Sequence, residues 1–175
     1  MTTEQIRIVK AGLADISALR QIGMQTFYET FAAENTEADM QQYLSENFSD
    51  ERMIAELSNP EAFFYLAEAG NHIVGYLKLN VGAAQTEPQP NALEIERIYV
   101  LKEYQGRNIG QRLYEKAISA AKEMQLTYIW LGVWERNHKA IGFYEKNGFL
   151  AFDKHLFRLG NDEQTDIMMR RRVVD

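Results

Sequence analysis

Cysteine is absent from the 175 residues. That one absence removes disulfides, thiolate nucleophiles and cysteine-ligated metal sites together, so any thiol in the chemistry has to arrive with a cofactor. Histidine is scarce. His72, His138 and His155 lack ligand spacing, and each reads as a surface or hydrogen-bonded residue, so no metal site is expected. Proline occurs only three times in a composition that is otherwise ordinary for a soluble globular chain, 46% hydrophobic and 25% charged. Basic residues are outnumbered, 19 against 25 acidic, for a formal charge of −6. With no clustered basic face, the balance argues against nucleic-acid binding. It suits a cationic ligand, and equally the plain solubility of many proteins. Long apolar runs are missing too: Tyr128–Leu131 falls far short of the ~20 residues of a membrane span. No basic segment followed by an apolar stretch opens the chain, so no secretory signal is expected and the cytoplasm is the default location.

What is present is regular patterning. The length fits one domain over residues 1–175, large enough to bury roughly 70% of its unfolded surface. Ile6–Lys10 alternates as a strand, and Leu13–Phe31 reads as a helix with Asp15 at its N-cap. Two shorter helices follow, over Glu37–Ser45 and Asp50–Leu57. Phe63–Glu68 and His72–Val81 form a hairpin about Ala69-Gly70-Asn71, and Gly82–Asn91 is the one clear loop. Leu93–Val100, Gly110–Gln125 and Tyr128–Trp134 then read as strand, helix, strand. That βαβ unit makes its two strands parallel and, after an antiparallel hairpin, the whole sheet mixed. A helix over His138–Lys146 and strands over Leu150–Leu159 and Thr165–Arg170 complete an α/β chain. The stripe Leu113, Ala117, Ile118, Ala121 and Met124 is core, and Arg170-Arg171-Arg172 reads as a solvated strand end.

Three segments could carry chemistry. Gln105-Gly106-Arg107-Asn108-Ile109-Gly110 joins a strand to the helix it feeds. Small or αL-tolerant residues there let backbone N–H groups turn inward beside the helix dipole, a seat for phosphate oxygens; read alone, the same run is also an ordinary turn. In the strand before it, Leu93 and Ile95 share one parity and Ile98 and Val100 the other. A β-bulge near Glu96-Arg97 would restore one core face and aim Glu94 and Glu96 at the opposite one; without the bulge they are two solvated carboxylates. In the run from Trp134 to Phe149, Asn137 caps a helix, Ala140, Ile141 and Tyr144 share a face, and Asn147-Gly148 ends it.

In order and spacing these segments resemble the GNAT superfamily of N-acetyltransferases, over essentially the whole chain. Gln105 to Gly110 is similar to the family's Gln/Arg-x-x-Gly-x-Gly/Ala motif, with Asn108 where glycine is usual. Asn137 to Phe149 resembles the second signature, Asn-x-x-Ala-x-x-Phe-Tyr-x-x-x-Gly-Phe. The runs Leu93–Tyr99, Ile129–Glu135 and Gly160–Asp166 are similar to the PaiA-type spermidine/spermine N-acetyltransferases. The resemblance implies acetyl-CoA as cosubstrate, with its pantetheine arm on backbone groups of Ile98, Tyr99 and Val100 where the parallel strands splay. It implies the pyrophosphate on the amides of Gly106, Arg107, Asn108, Ile109, Gly110 and Gln111, with Asn137 touching the cofactor and Tyr144 beside its sulfur. It implies a small amine acceptor, a polyamine in the narrower reading, that attacks the thioester directly without an acyl-enzyme. Glu94 or Glu96 would take the amine proton, Glu94 by preference, and Tyr144 would protonate the departing thiolate. Backbone N–H groups near the bulge would polarise the thioester carbonyl. Glu34, Glu37 and Asp39 are further acids that could meet the acceptor. Other acceptors (a protein N-terminus, a lysine, an aminoglycoside) and a non-catalytic CoA-binding role fit the same fold, and the last strands leave a sheet edge through which a homodimer could form.

Overall fold

The computed structural model describes residues 4–174. Seven strands form one sheet in the order β1-β2-β3-β4-β5-β7-β6. They are β1 Ile6–Ala11, β2 Ala62–Ala69, β3 His72–Asn80, β4 Ala92–Val100, β5 Tyr128–Trp134, β6 Leu150–Leu159 and β7 Asp162–Arg172. Only β4 and β5 run parallel; every other neighbouring pair is antiparallel. The sheet is therefore mixed, as the strand–helix–strand pattern requires.

Helices cover both faces. On one, α4 (Ile109–Glu123) and α5 (His138–Lys146) bury Leu113, Ala117, Ala121 and Tyr144 against Leu77, Leu93, Ile95, Ile129 and Leu131. On the other, α1 (Ile16–Phe31), α2 (Glu37–Asn47) and α3 (Asp50–Ser58) close over Phe64, Leu66, Tyr76 and Trp134. Thr36 and Ser49 cap α2 and α3 by accepting the N–H of Asp39 and Arg52 at 3.1 and 3.3 Å. The first helix begins later than its apolar pattern: Leu13–Asp15 is a 3₁₀ turn, in which the Asp15 carboxylate accepts the Gly12 N–H at 2.9 Å instead of a helical amide. β7 is longer than Thr165–Arg170 because β6 pairs with it from Leu159↔Asp162 onward. Nor is the arginine triplet simply solvated. Arg171 is half-buried and donates to Tyr114 Oη at 2.9 Å and the Asn147 carbonyl at 3.0 Å, tying β7 to α4 and the end of α5.

Candidate active site

Two breaks in the sheet make the site. The first is the bulge: β3 pairs Lys78 with Arg97 and Leu79 with Ile95, leaving Glu96 as the extra residue. Leu93, Ile95, Ile98 and Val100 thereby keep one apolar face, and the polar residues of β4 turn to the other. The second is a splay. The parallel ladder runs from Ala92↔Tyr128 to Ile95↔Leu131 and stops; beyond it β4 pairs only with β3, and β5 only with β7. The facing backbone edges of residues 96–100 and 132–134 have no strand partner, and a cavity of about 960 Å³ opens there. Its walls hold Ile98, Tyr99, Val100, Gly106, Asn108, Ile109, Gly110, Gln111, Asn137 and Tyr144, together with Glu94 and Glu96.

At the α4 end the chain is shaped for an anion. Gly106 and Asn108 both take left-handed backbone, φ +82° and +67°. Asparagine meets the conformation that glycine would otherwise supply, and the turn delivers the first amides of a 15-residue helix to the cavity. Lys139 stands over this mouth, donating to Gln105 Oε1 at 2.8 Å, while Gln105 donates onward to the Val100 carbonyl at 3.1 Å. The Arg107 side chain is not in the cavity wall, and its guanidinium lies 4.8 Å over the Tyr104 ring, so what it could offer the cavity is the backbone amide alone. Asn137 caps α5 through the Ala140 N–H, 3.2 Å, and borders the cavity as well. Tyr144 is buried at its edge, and that burial pushes its phenol well above the usual range, so it stays protonated and able to donate.

The two glutamates differ sharply. Glu96 pairs with Lys78 at 2.6 Å and Arg97 at 3.7 Å in a buried network that also holds Glu56. Burial alone would push its carboxyl up, but the two cations outweigh it and hold it below the usual range. Glu94 has no cationic partner. It accepts from Asn80 Nδ2 at 3.0 Å, from the Thr86 N–H at 2.8 Å and from the Thr86 hydroxyl. Burial raises its carboxyl, those hydrogen bonds pull the other way, and the net direction is up.

The acids of the N-terminal helices stay out of the cavity. Glu34 faces Arg136, Glu37 holds Tyr28 and Gln41, and Asp39 accepts the Asn161 N–H. In their place stands a group that sequence reading passed over. His155 and Asp166 are cross-strand partners on β6 and β7, with Nε2 and Oδ2 3.3 Å apart, and Glu87 Oε1 reaches within 3.2 Å of His155 Nδ1. All three line the cavity beside Gly132 of β5. The one available signal was the strand parity that puts His155 and Asp166 on a common face, which becomes useful only once the two strands are known to pair. Among the described residues no cluster of His, Asp or Glu has the makings of a metal site.

A splayed parallel pair with unpartnered backbone, fed by a left-handed turn at a helix N-terminus, fits an extended amide-bearing arm that ends in phosphates. A profile of the Acetyltransferase (GNAT) family matches residues 24–149, which takes in both breaks. The chain belongs to the GNAT family of N-acetyltransferases. Across 97% of its length this GNAT protein is 38% identical to an uncharacterized N-acetyltransferase from the pepI 3′ region of Lactobacillus delbrueckii subsp. lactis, covering 98% of that protein. It is 27% identical over 85% of its length to the spermidine N(1)-acetyltransferase of Thermoplasma acidophilum, covering 90% of that relative. In fold it matches the crystal structure of the Thermoplasma acidophilum PaiA N-acetyltransferase in complex with coenzyme A. The TM-score is 0.79 at 24% identity, over 96% of this chain and 99% of the other. Acetyl-CoA is the cosubstrate.

Proposed function

We propose that this N-acetyltransferase acetylates a small primary amine, and that the acceptor is a polyamine such as spermidine or spermine. The observation that carries the reading is the acidic acceptor half of the cavity, where Glu87, Glu94 and Asp166 gather against the open splay. The 27% identity to a spermidine N(1)-acetyltransferase points the same way. Acetyl-CoA supplies the thioester. The chain's own groups bind it and manage protons: backbone amides of residues 106–111 take the phosphates, and edge groups of Ile98, Tyr99 and Val100 take the arm.

Magnitudes rank the tasks. An alkyl ammonium with a pKa near 10.4 costs about 4.6 kcal/mol to deprotonate at pH 7, whereas a thiol near 8.5 needs only about 2 kcal/mol of help. Removing the amine proton is the larger requirement. Of the two β4 glutamates, Glu96 is committed to Lys78 and Arg97, which leaves Glu94 as the one facing the acceptor without a cation of its own. Tyr144, held neutral by burial, protonates the thiolate. A purely regulatory CoA-binding role would need neither group. The work belongs in the cytoplasm in this reading, and a second copy would pair along β6, where Leu150 and Leu156 stand exposed at the sheet edge; light scattering after size exclusion tests that association.

Free CoA, followed with a thiol reagent, tests the chemistry, and the cysteine-free chain gives no background. Acetyl-CoA is offered with spermidine, spermine, an aminoglycoside or a short peptide. Release that depends on the polyamines supports the proposal. Release only with the peptide or aminoglycoside moves the acceptor, and CoA binding with no release for any amine removes catalysis.

A further inference from the structure

We infer that His155, oriented by Glu87 and Asp166, is the group that takes the proton from the incoming ammonium. The inference rests on the acetyl-transfer reading above and names the base for it.

Glu94 is poorly free to act in that way. Its two oxygens already accept three hydrogen bonds, and the residue is 2% exposed, so a new proton must displace a donor in a place with little room. Its fixed charge can hold a cation nearby without changing its own protonation.

His155 is differently placed. A Cβ built on Gly132 would come within 3.2 Å of His155 Cε1, 3.3 Å of Nε2 and 3.5 Å of Asp166 Oδ2. Gly132 therefore leaves a recess in the splayed half of β5, and one ring nitrogen and one carboxylate oxygen border it. The Nε2 to Oδ2 separation of 3.3 Å is long for a charged hydrogen bond. Two acceptors at that spacing match two N–H groups of one ammonium. On the far side of the ring, Glu87 Oε1 stands 3.2 Å from Nδ1, close in distance but out of line for a good hydrogen bond. A small shift of this half-exposed loop carboxylate would let Nδ1–H donate to it, placing the basic lone pair on Nε2.

The groups facing His155 are Asp166 on β7, Glu87 on the 82–91 loop and, at longer range, Glu94 on β4. All are acidic. Together they hold the imidazole above its ordinary 6.5, the Asp166 hydrogen bond contributing most and burial opposing it. Glu96, by contrast, is held below the usual carboxylate range.

The step balances as follows. His155 Nε2 removes one proton from R–NH3⁺, and the neutral amine forms the C–N bond as the thioester C–S bond breaks. The thiolate takes a proton from Tyr144. The phenol is restored by the second amine proton, and His155 releases its own to solvent, leaving amide, CoA–SH and H⁺.

The test is the rate of CoA release by purified wild type and His155→Gln, with spermidine and with an electron-poor alkylamine already neutral at the assay pH. For spermidine, His155→Gln should lose roughly 10²–10⁴-fold in kcat at pH 7 and lack the rise of kcat/KM with pH expected of the wild type above about pH 6.5. For the neutral amine the loss should be under about threefold. Asp166→Asn should move the wild-type inflection to lower pH. Calorimetry with CoA should show unchanged affinity in both variants. Equal losses on both amines, or a wild-type pH profile in His155→Gln, would overturn the assignment while leaving acetyl transfer intact. A wild type inert toward every amine yet able to bind CoA would instead remove the proposed function, and the base with it.

Discussion

Tyr144 shows how one side chain's surroundings set its chemistry. Nothing but burial acts on its phenol, so it is neutral at any working pH. Tyr144→Phe removes the oxygen and keeps the ring that packs on Phe143 and Phe149, so kcat should fall about 10²-fold with folding and CoA affinity unchanged; steady-state kinetics and calorimetry check the pair. Glu94→Gln keeps a side chain that can still meet Asn80 and Thr86 but removes the charge. With His155 as base it should cost about tenfold, mainly in acceptor KM, because what is lost is one attraction for the ammonium. His155 also makes a statement about stability. Folding raises its proton affinity, so its contribution is fully present below the ordinary 6.5 and is lost as pH climbs through the folded value. Urea melts from pH 5.5 to 8.5 should show wild type and His155→Gln diverging toward acid and converging toward alkali.

At the scale of elements, the turn into α4 and the bulge in β4 do most to build the cavity. Asn108 holds φ +67° where glycine is usual in the family. Asn108→Gly should be nearly silent, while Asn108→Val should cost about 1–2 kcal/mol and weaken CoA binding through the displaced amides, read by urea melts and calorimetry. The bulge was legible in advance as one of two readings, because the parity of Leu93 and Ile95 against Ile98 and Val100 slips by one residue; the pairing of β4 with β3 chose it over a regular strand. The ends of elements were less so. Asp15 does stand at the N-cap of α1, but its carboxylate meets a turn amide and no helical one, and β7 gained three residues at its start because β6 was there to pair with them. Such boundaries depend on partners that local sequence does not name.

Across the whole molecule, the network of Glu56, Lys78, Glu96 and Arg97 joins α3, β3 and β4 beneath the acceptor half of the cavity. Lys78→Met should destabilise by about 3–5 kcal/mol in urea melts, since it leaves two buried carboxylates with one cation fewer. The same network explains why two glutamates that looked equivalent are not. On an unpaired strand Glu94 and Glu96 differ only in position; Lys78 arrives from β3 and Arg97 from the bulge to claim one of them. The sequence by itself determined the mixed α/β sheet, the parallel pair with its crossover helix and the turn that feeds α4, because periodicity and backbone conformation are properties of short stretches. Only the tertiary structure decided which acid stands without a cation, and that His155, Asp166 and Glu87 converge over Gly132. Those are facts about residues on different strands and loops, fixed by strand pairing and burial, and ionisation follows the neighbours that the fold supplies.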